Sequence, residues 1–110
     1  MSERVLNVAR LARFASEKMA KTTLSESERL LLGLNCLEPG QSQAPHTHVG
    51  ADKFYYVCSG RARFVVGAET VEAGAGEVVV CPAGEPHGIE QALERTTLLV
   101  GIAPWKEESK

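Results

Sequence analysis

The stretch GQSQAPHTHVGADKFYYVCSG, running from Gly40 to Gly60, decides how this chain is read. It opens on a turn, because Glu38-Pro39-Gly40-Gln41 carries a Pro-Gly pair. It then sets His46 and His48 two residues apart. On an extended strand such residues point to the same face, so both imidazoles can reach one ion. Residues 54–58, Phe-Tyr-Tyr-Val-Cys, are rich in aromatic and β-branched side chains and predict a strand. Ser59-Gly60 ends the stretch in a second turn.

Outward from this stretch the chain reads as β almost everywhere. Downstream, strands are predicted at 61–66, 70–72, 77–81, 87–91 and 95–102. Gly67-Ala68, residues 73–76 and the Pro/Gly loop 82–86 separate the first four. Upstream, 19–25 and 29–37 are candidate strands joined by the polar residues 25–28, and 6–14 holds at best a short helix or turn. About eight to ten short strands, with turn signals roughly every ten residues, predict an all-β antiparallel sandwich or barrel. An α/β fold would need intervening helical patterns, and none is present.

The chain has 110 residues, which predicts one domain over 1–110. The composition, 44% hydrophobic and 24% charged, is that of an ordinary globular protein. A net charge of -2 gives no electrostatic reason to expect nucleic acid or a membrane surface as partner. Glu3, Arg4, Arg10 and Arg13 interrupt any apolar leader at the start, so a cytoplasmic protein is expected. Cys36, Cys58 and Cys81 lack metal-type spacing, and an odd, scattered set points to a reducing compartment.

The third and last histidine, His87, follows the loop 82–86 at the start of a strand. With that placement two spaced motifs emerge. Gly40-x5-His46-x-His48, with Gly60 closing it, resembles the first motif of the cupin superfamily, at 40–60. Gly76-x5-Pro82-x-Gly84-x2-His87, followed at the fourth residue by Gln91, resembles the second, at 76–91. The resemblance implies a small antiparallel barrel of the double-stranded β-helix, jelly-roll-like type with a short N-terminal helical or irregular segment. It also implies one divalent metal ion, Fe, Mn, Zn or Ni, held by His46, His48 and His87 near the wider mouth.

The fourth position departs from that pattern, since the family's usual fourth ligand is a glutamate. Counting back from Gly60 with six residues between lands on Lys53, and counting forward from His48 with three between lands on Asp52. Regular alternation turns Lys53, Tyr55 and Val57 inward together and leaves Asp52 on the other face. A local bulge would instead bring Asp52 in as a carboxylate ligand. A barrel without metal is the third reading. With three neutral imidazoles and a lysine, an anionic or chelating small molecule is favoured, its carboxylate or phosphate facing Lys53.

Parity with His87 and Ile89 also places Gln91 inward, as a hydrogen-bonding lining residue. Tyr55 is either packing or a hydrogen-bond donor to a substrate. Cys81 alternates with Val79 and reads as a small buried hydrophobe. Arg61 and Arg63 share a solvated face, and Trp105 is expected on the barrel exterior or in a subunit interface. Family likeness implies a metal-dependent enzyme acting on a small polar or anionic molecule. Dioxygenase-like chemistry at the three-histidine site comes first, with isomerase and lyase chemistry beside it. The alternative is a non-catalytic module that binds or senses a small ligand or metal. A homodimer is expected, with strand 19–25 adding to a neighbour's sheet.

Overall fold

A computed structural model describes residues 4–106. Residues 1–3 and 107–110, the ends of the single domain expected over 1–110, lie outside the described residues. Among the described residues one helical turn, α1 (Val8–Leu11), precedes nine strands. Asn7 caps it, its side-chain oxygen accepting from the Arg10 N–H at 3.0 Å. The strands are β1 (Ala20–Glu26), β2 (Leu31–Leu37), β3 (Gln43–His46), β4 (Asp52–Ser59), β5 (Arg61–Val66), β6 (Glu69–Gly74), β7 (Val78–Cys81), β8 (His87–Ala92) and β9 (Thr96–Ala103). No helix among the described residues is long and apolar enough to cross a membrane.

The strands form two antiparallel sheets, in the orders β1-β2-β9-β4-β7 and β3-β8-β5-β6. This is the all-β double-stranded β-helix barrel expected above. Alternation explains which faces meet. Lys53, Tyr55 and Val57 are the buried residues of β4, and Ala62 and Phe64 those of β5. β9 lies between β2 and β4 and is buried along nearly its whole length, which accounts for its continuous apolar run. Tyr55 and Phe64 meet across the interior with ring centroids 5.0 Å apart, and Leu37, Ile89 and Leu98 fill the space around them. Each such side chain contributes about 1.5–3 kcal/mol by leaving water.

The β4–β5 turn depends on one glycine. Gly60 has φ +90°, and a Cβ there would run into the Arg95 carbonyl and Thr96. One strand was not anticipated by composition: β3 holds Pro45 and polar residues. It lies at the edge of its sheet, where a strand proline removes no essential ladder bond. β1 is the corresponding edge of the larger sheet. Among the described residues it pairs only with β2, from Ala20↔Cys36 to Glu26↔Leu31.

Candidate metal centre

The three histidines converge through β3, the chain just beyond it, and the start of β8. His46 ends β3 and pairs in register with His87, the first residue of β8. β3 approaches β8 closely because residue 88 is glycine. A Cβ on Gly88 would stand 2.7 Å from the Gln43 carbonyl oxygen and 3.0 Å from Pro45 backbone atoms. His48 lies past the end of β3, so the pair is not carried by one regular strand as expected. The chain still delivers both rings to one place, with centroids 5.0 Å apart. The His87 ring lies 4.5 Å from that of His46 and 5.4 Å from that of His48. One ring nitrogen from each histidine falls within 4.8 Å of the other two, a spacing that a single ion can span.

The loop between β7 and β8 is tied down on several sides. The Gly84 N–H donates to the His48 carbonyl at 3.0 Å, and the Glu85 N–H to the Pro82 carbonyl at 3.2 Å. The Ala83 N–H donates to Oδ1 of Asp52 at 2.9 Å. The loop then presents the Glu85 carbonyl to Nδ1 of His87 at 3.1 Å. Nδ1 of His46 faces the Ala44 carbonyl in the same way at 3.3 Å. A carbonyl only accepts, so each Nδ1 carries the proton and each Nε2 keeps its lone pair for a ligand bond.

Nε2 of His87 is buried and has no hydrogen-bond partner among the described residues. Buried polar atoms are normally satisfied, so an orphaned lone pair on a ring packed beside two other imidazoles fits a metal ligand. Burial, followed by the charge of Lys53, pushes the His87 imidazole down to about 4. Burial also lowers that of His46. Both rings are therefore held neutral, the form a metal requires.

Lys53 is only 4% exposed and faces inward, opposite Cys81 on β7. Its Nζ stands 4.4 Å from the centroid of the Tyr55 ring, and burial pushes its ammonium down to about 8. Burial pushes the Cys81 thiol up to about 11, leaving it a packed apolar group. The Tyr55 phenol is raised well above its ordinary value, again by burial, and donates to Oε1 of Gln43 at 2.7 Å.

Two expected site residues face elsewhere. Asp52 is exposed and holds the Ala83 N–H, so β4 runs regularly here and no bulge turns the carboxylate toward the histidines. Gln91 is also exposed, because Arg63 pairs with Gln91 while Phe64 pairs with Ile89. That leaves Glu90 as an extra residue in β8, and the bulge reverses the parity on which the inward placement relied.

A cleft of about 210 Å³ opens beside the centre, between β1, β2 and β9 on one side and β3 on the other. Its polar lining includes His46, His48, Lys53, Lys21, Asn35 and Gln43, beside the hydroxyls of Thr22 and Thr23. Lys21, Asn35 and Gln43 were missed from sequence. Lys21 pairs with Asn35 across the β1–β2 ladder, so the two share the inner face. Trp105, half-buried, also borders the cleft, and its Nε1 donates to Glu26 at 2.6 Å. No carboxylate lines the cleft among the described residues.

Comparison with known proteins agrees with this architecture. A family model described as "Cupin domain" matches residues 33–100. An uncharacterised Streptomyces coelicolor protein is 40% identical over 75 residues, covering 66% of this chain and 69% of that protein. A crystal structure from Thermus thermophilus is 42% identical, with TM-score 0.86 over 91% of this chain and 96% of that one. An RmlC-like cupin from Desulfovibrio desulfuricans is 28% identical, with TM-score 0.83 over 91% and 95% of the two chains.

Proposed function

This chain belongs to the cupin family, and on that premise we propose that His46, His48 and His87 hold one divalent metal ion and present it to a small polar or anionic molecule. The observation that carries this reading is the buried, unpartnered Nε2 of His87 on a ring gathered with those of His46 and His48, one nitrogen of each within 4.8 Å of the others. Iron, zinc, nickel and manganese all suit this ligand class, manganese when oxygen ligands join it. Three protein ligands leave coordination positions open to a substrate. With iron the centre supports dioxygenase-like chemistry, the reaction class favoured first, and the chain's own groups bind and orient the substrate beside it. The donors of Lys53, Lys21 and Gln43 do that binding.

A second reading, non-catalytic binding or sensing, draws on a specific observation. Among the described residues no carboxylate reaches the cleft, and the Tyr55 hydroxyl is committed to Gln43, so no ready general acid–base pair stands beside the histidines. Elemental mass spectrometry of untagged protein, beside a His46→Ala/His48→Ala control, is expected to find close to one ion per chain, lost in the control. Iron followed by oxygen uptake with small acids, thiols or diketones supports the oxygenase. A stoichiometric metal with no turnover supports the binding module. No metal after reconstitution would sink both readings. We also propose that two copies pair along the edge of β1, which among the described residues pairs only with β2. Light scattering at twice the chain mass supports that pairing, and the mass of one chain refutes it.

A further inference from the structure

Charge is unbalanced at this centre. An imidazole that ligates through its lone pair brings no charge to an ion, and no acidic side chain lines the cleft among the described residues. Asp52, the acidic residue nearest in sequence to His48 on β4, is turned outward onto the Ala83 N–H. Into the same space β4 projects the buried Lys53, and β1 contributes Lys21 from the inner face it shares with Asn35. Gln43 accepts from Tyr55 through its oxygen, which leaves its amide N–H₂ as the donor for the cleft. A divalent ion entering such a place adds positive charge beside a buried ammonium with no protein anion to offset either. In a poorly solvated interior that repulsion is large.

An anion between the ion and the ammonium removes both penalties at once. A cleft of about 210 Å³ lies below the usual size of sites for drug-sized molecules, so the anion is small. We infer that the centre takes up its metal together with a small carboxylate, whose oxygens bridge the ion and Lys53, so that metal and carboxylate each bind more tightly when the other is present. This rests on the three-histidine metal reading proposed above. Linkage makes the coupling reciprocal: whatever factor the carboxylate adds to metal affinity, the metal adds to carboxylate affinity.

The test uses cobalt(II) perchlorate and sodium acetate at constant ionic strength with the full untagged chain. Equilibrium dialysis gives the affinity, and the visible spectrum of bound cobalt reports the coordination. Acetate is expected to tighten cobalt binding about tenfold, within the common range of coupling between two ligands. It should also alter the cobalt spectrum. In Lys53→Met the ammonium is gone, so cobalt should bind more tightly without acetate and acetate should change its affinity by less than about twofold. Lys53→Arg, which keeps the charge, should retain the coupling. Cobalt affinity indifferent to acetate in the native chain would overturn the inference, and so would undiminished coupling in Lys53→Met, while the metal site itself would stand. Cobalt that binds under neither condition, or that binds equally well in the His46→Ala/His48→Ala chain, would remove the metal reading and this inference with it.

Discussion

Lys53 and Asp52 are neighbours in sequence with opposite fates, and the pleat of β4 decides which is which. Lys53 goes inward, where burial holds its ammonium down to about 8 from an ordinary 10.5. The unfolded chain therefore binds more protons between those values, and native stability rises with pH across that window. Below pH 8 the charged lysine destabilises the metal-free protein by up to about 3 kcal/mol, because each pH step between the two values is worth about 1.36 kcal/mol. Lys53→Met should accordingly unfold at higher urea concentration than the native chain at pH 7. Its advantage should shrink as pH climbs through 8 and vanish near 10.5. An advantage that is absent at pH 7, or that does not fade, would mean the ammonium is better solvated than its burial indicates. Asp52 tests the other face. If it only anchors the Ala83 N–H, Asp52→Asn keeps an acceptor oxygen and should leave metal content unchanged, while Asp52→Ala should cost about 1 kcal/mol of stability. Loss of metal in Asp52→Asn would show instead that the carboxylate is a ligand. Alternation counted back from Gly60 favours these two directions in the sequence, but the sequence also allows a bulge that would bring Asp52 in, and only the regular β4 pairing from Asp52 to Val57 closes that alternative.

Elements defeated sequence reading where the ladder was irregular. β8 carries Glu90 as an extra residue, so the alternation that correctly turned His87 and Ile89 inward put Gln91 on the wrong side. Nothing in the stretch from His87 to Ala92 announces that bulge. β3 was legible only from the His46-x-His48 spacing, because Pro45 and the polar residues around it suppress the compositional strand signal, which an edge position tolerates. Yet β3 carries His46, and its place against β8 depends on Gly88 having no side chain. Gly88→Ala brings a methyl group against backbone atoms, which cannot swing aside as a side-chain tip would. β3 should shift outward at a cost of about 1–3 kcal/mol. Metal affinity should fall at least tenfold, about 1.4 kcal/mol. Amide exchange in β9, held between β2 and β4 in the other sheet, should stay slower than in the edge strand β3. An alanine variant with native metal affinity would show that β3 has slack and that His46 is not fixed by its pairing.

At the scale of the whole molecule, sequence neighbours are mostly not sheet neighbours. β9 joins β2 to β4, and β8 joins β3 to β5, so each sheet closes only when distant parts of the chain meet. Topology of this kind folds cooperatively and, among small domains, slowly. The metal centre inherits that dependence, because His46 and His87 become neighbours only through the β3–β8 pairing. An unfolded chain has no comparable site, so metal should bind the native state alone and stabilise it by mass action. At a hundred times the dissociation constant the gain is about 2.7 kcal/mol, which for a domain of this size raises the melting temperature by roughly 10 °C. The same linkage reaches residues far from the ion. Amides of β9 that exchange only by global unfolding should slow by about a hundredfold when metal saturates the site, although β9 contributes no histidine. The His46→Ala/His48→Ala chain should show neither change. Should metal raise the melting temperature while β9 exchange stays constant, those amides must open without releasing the ion. The three histidines would then belong to a locally stable unit rather than to the closed barrel.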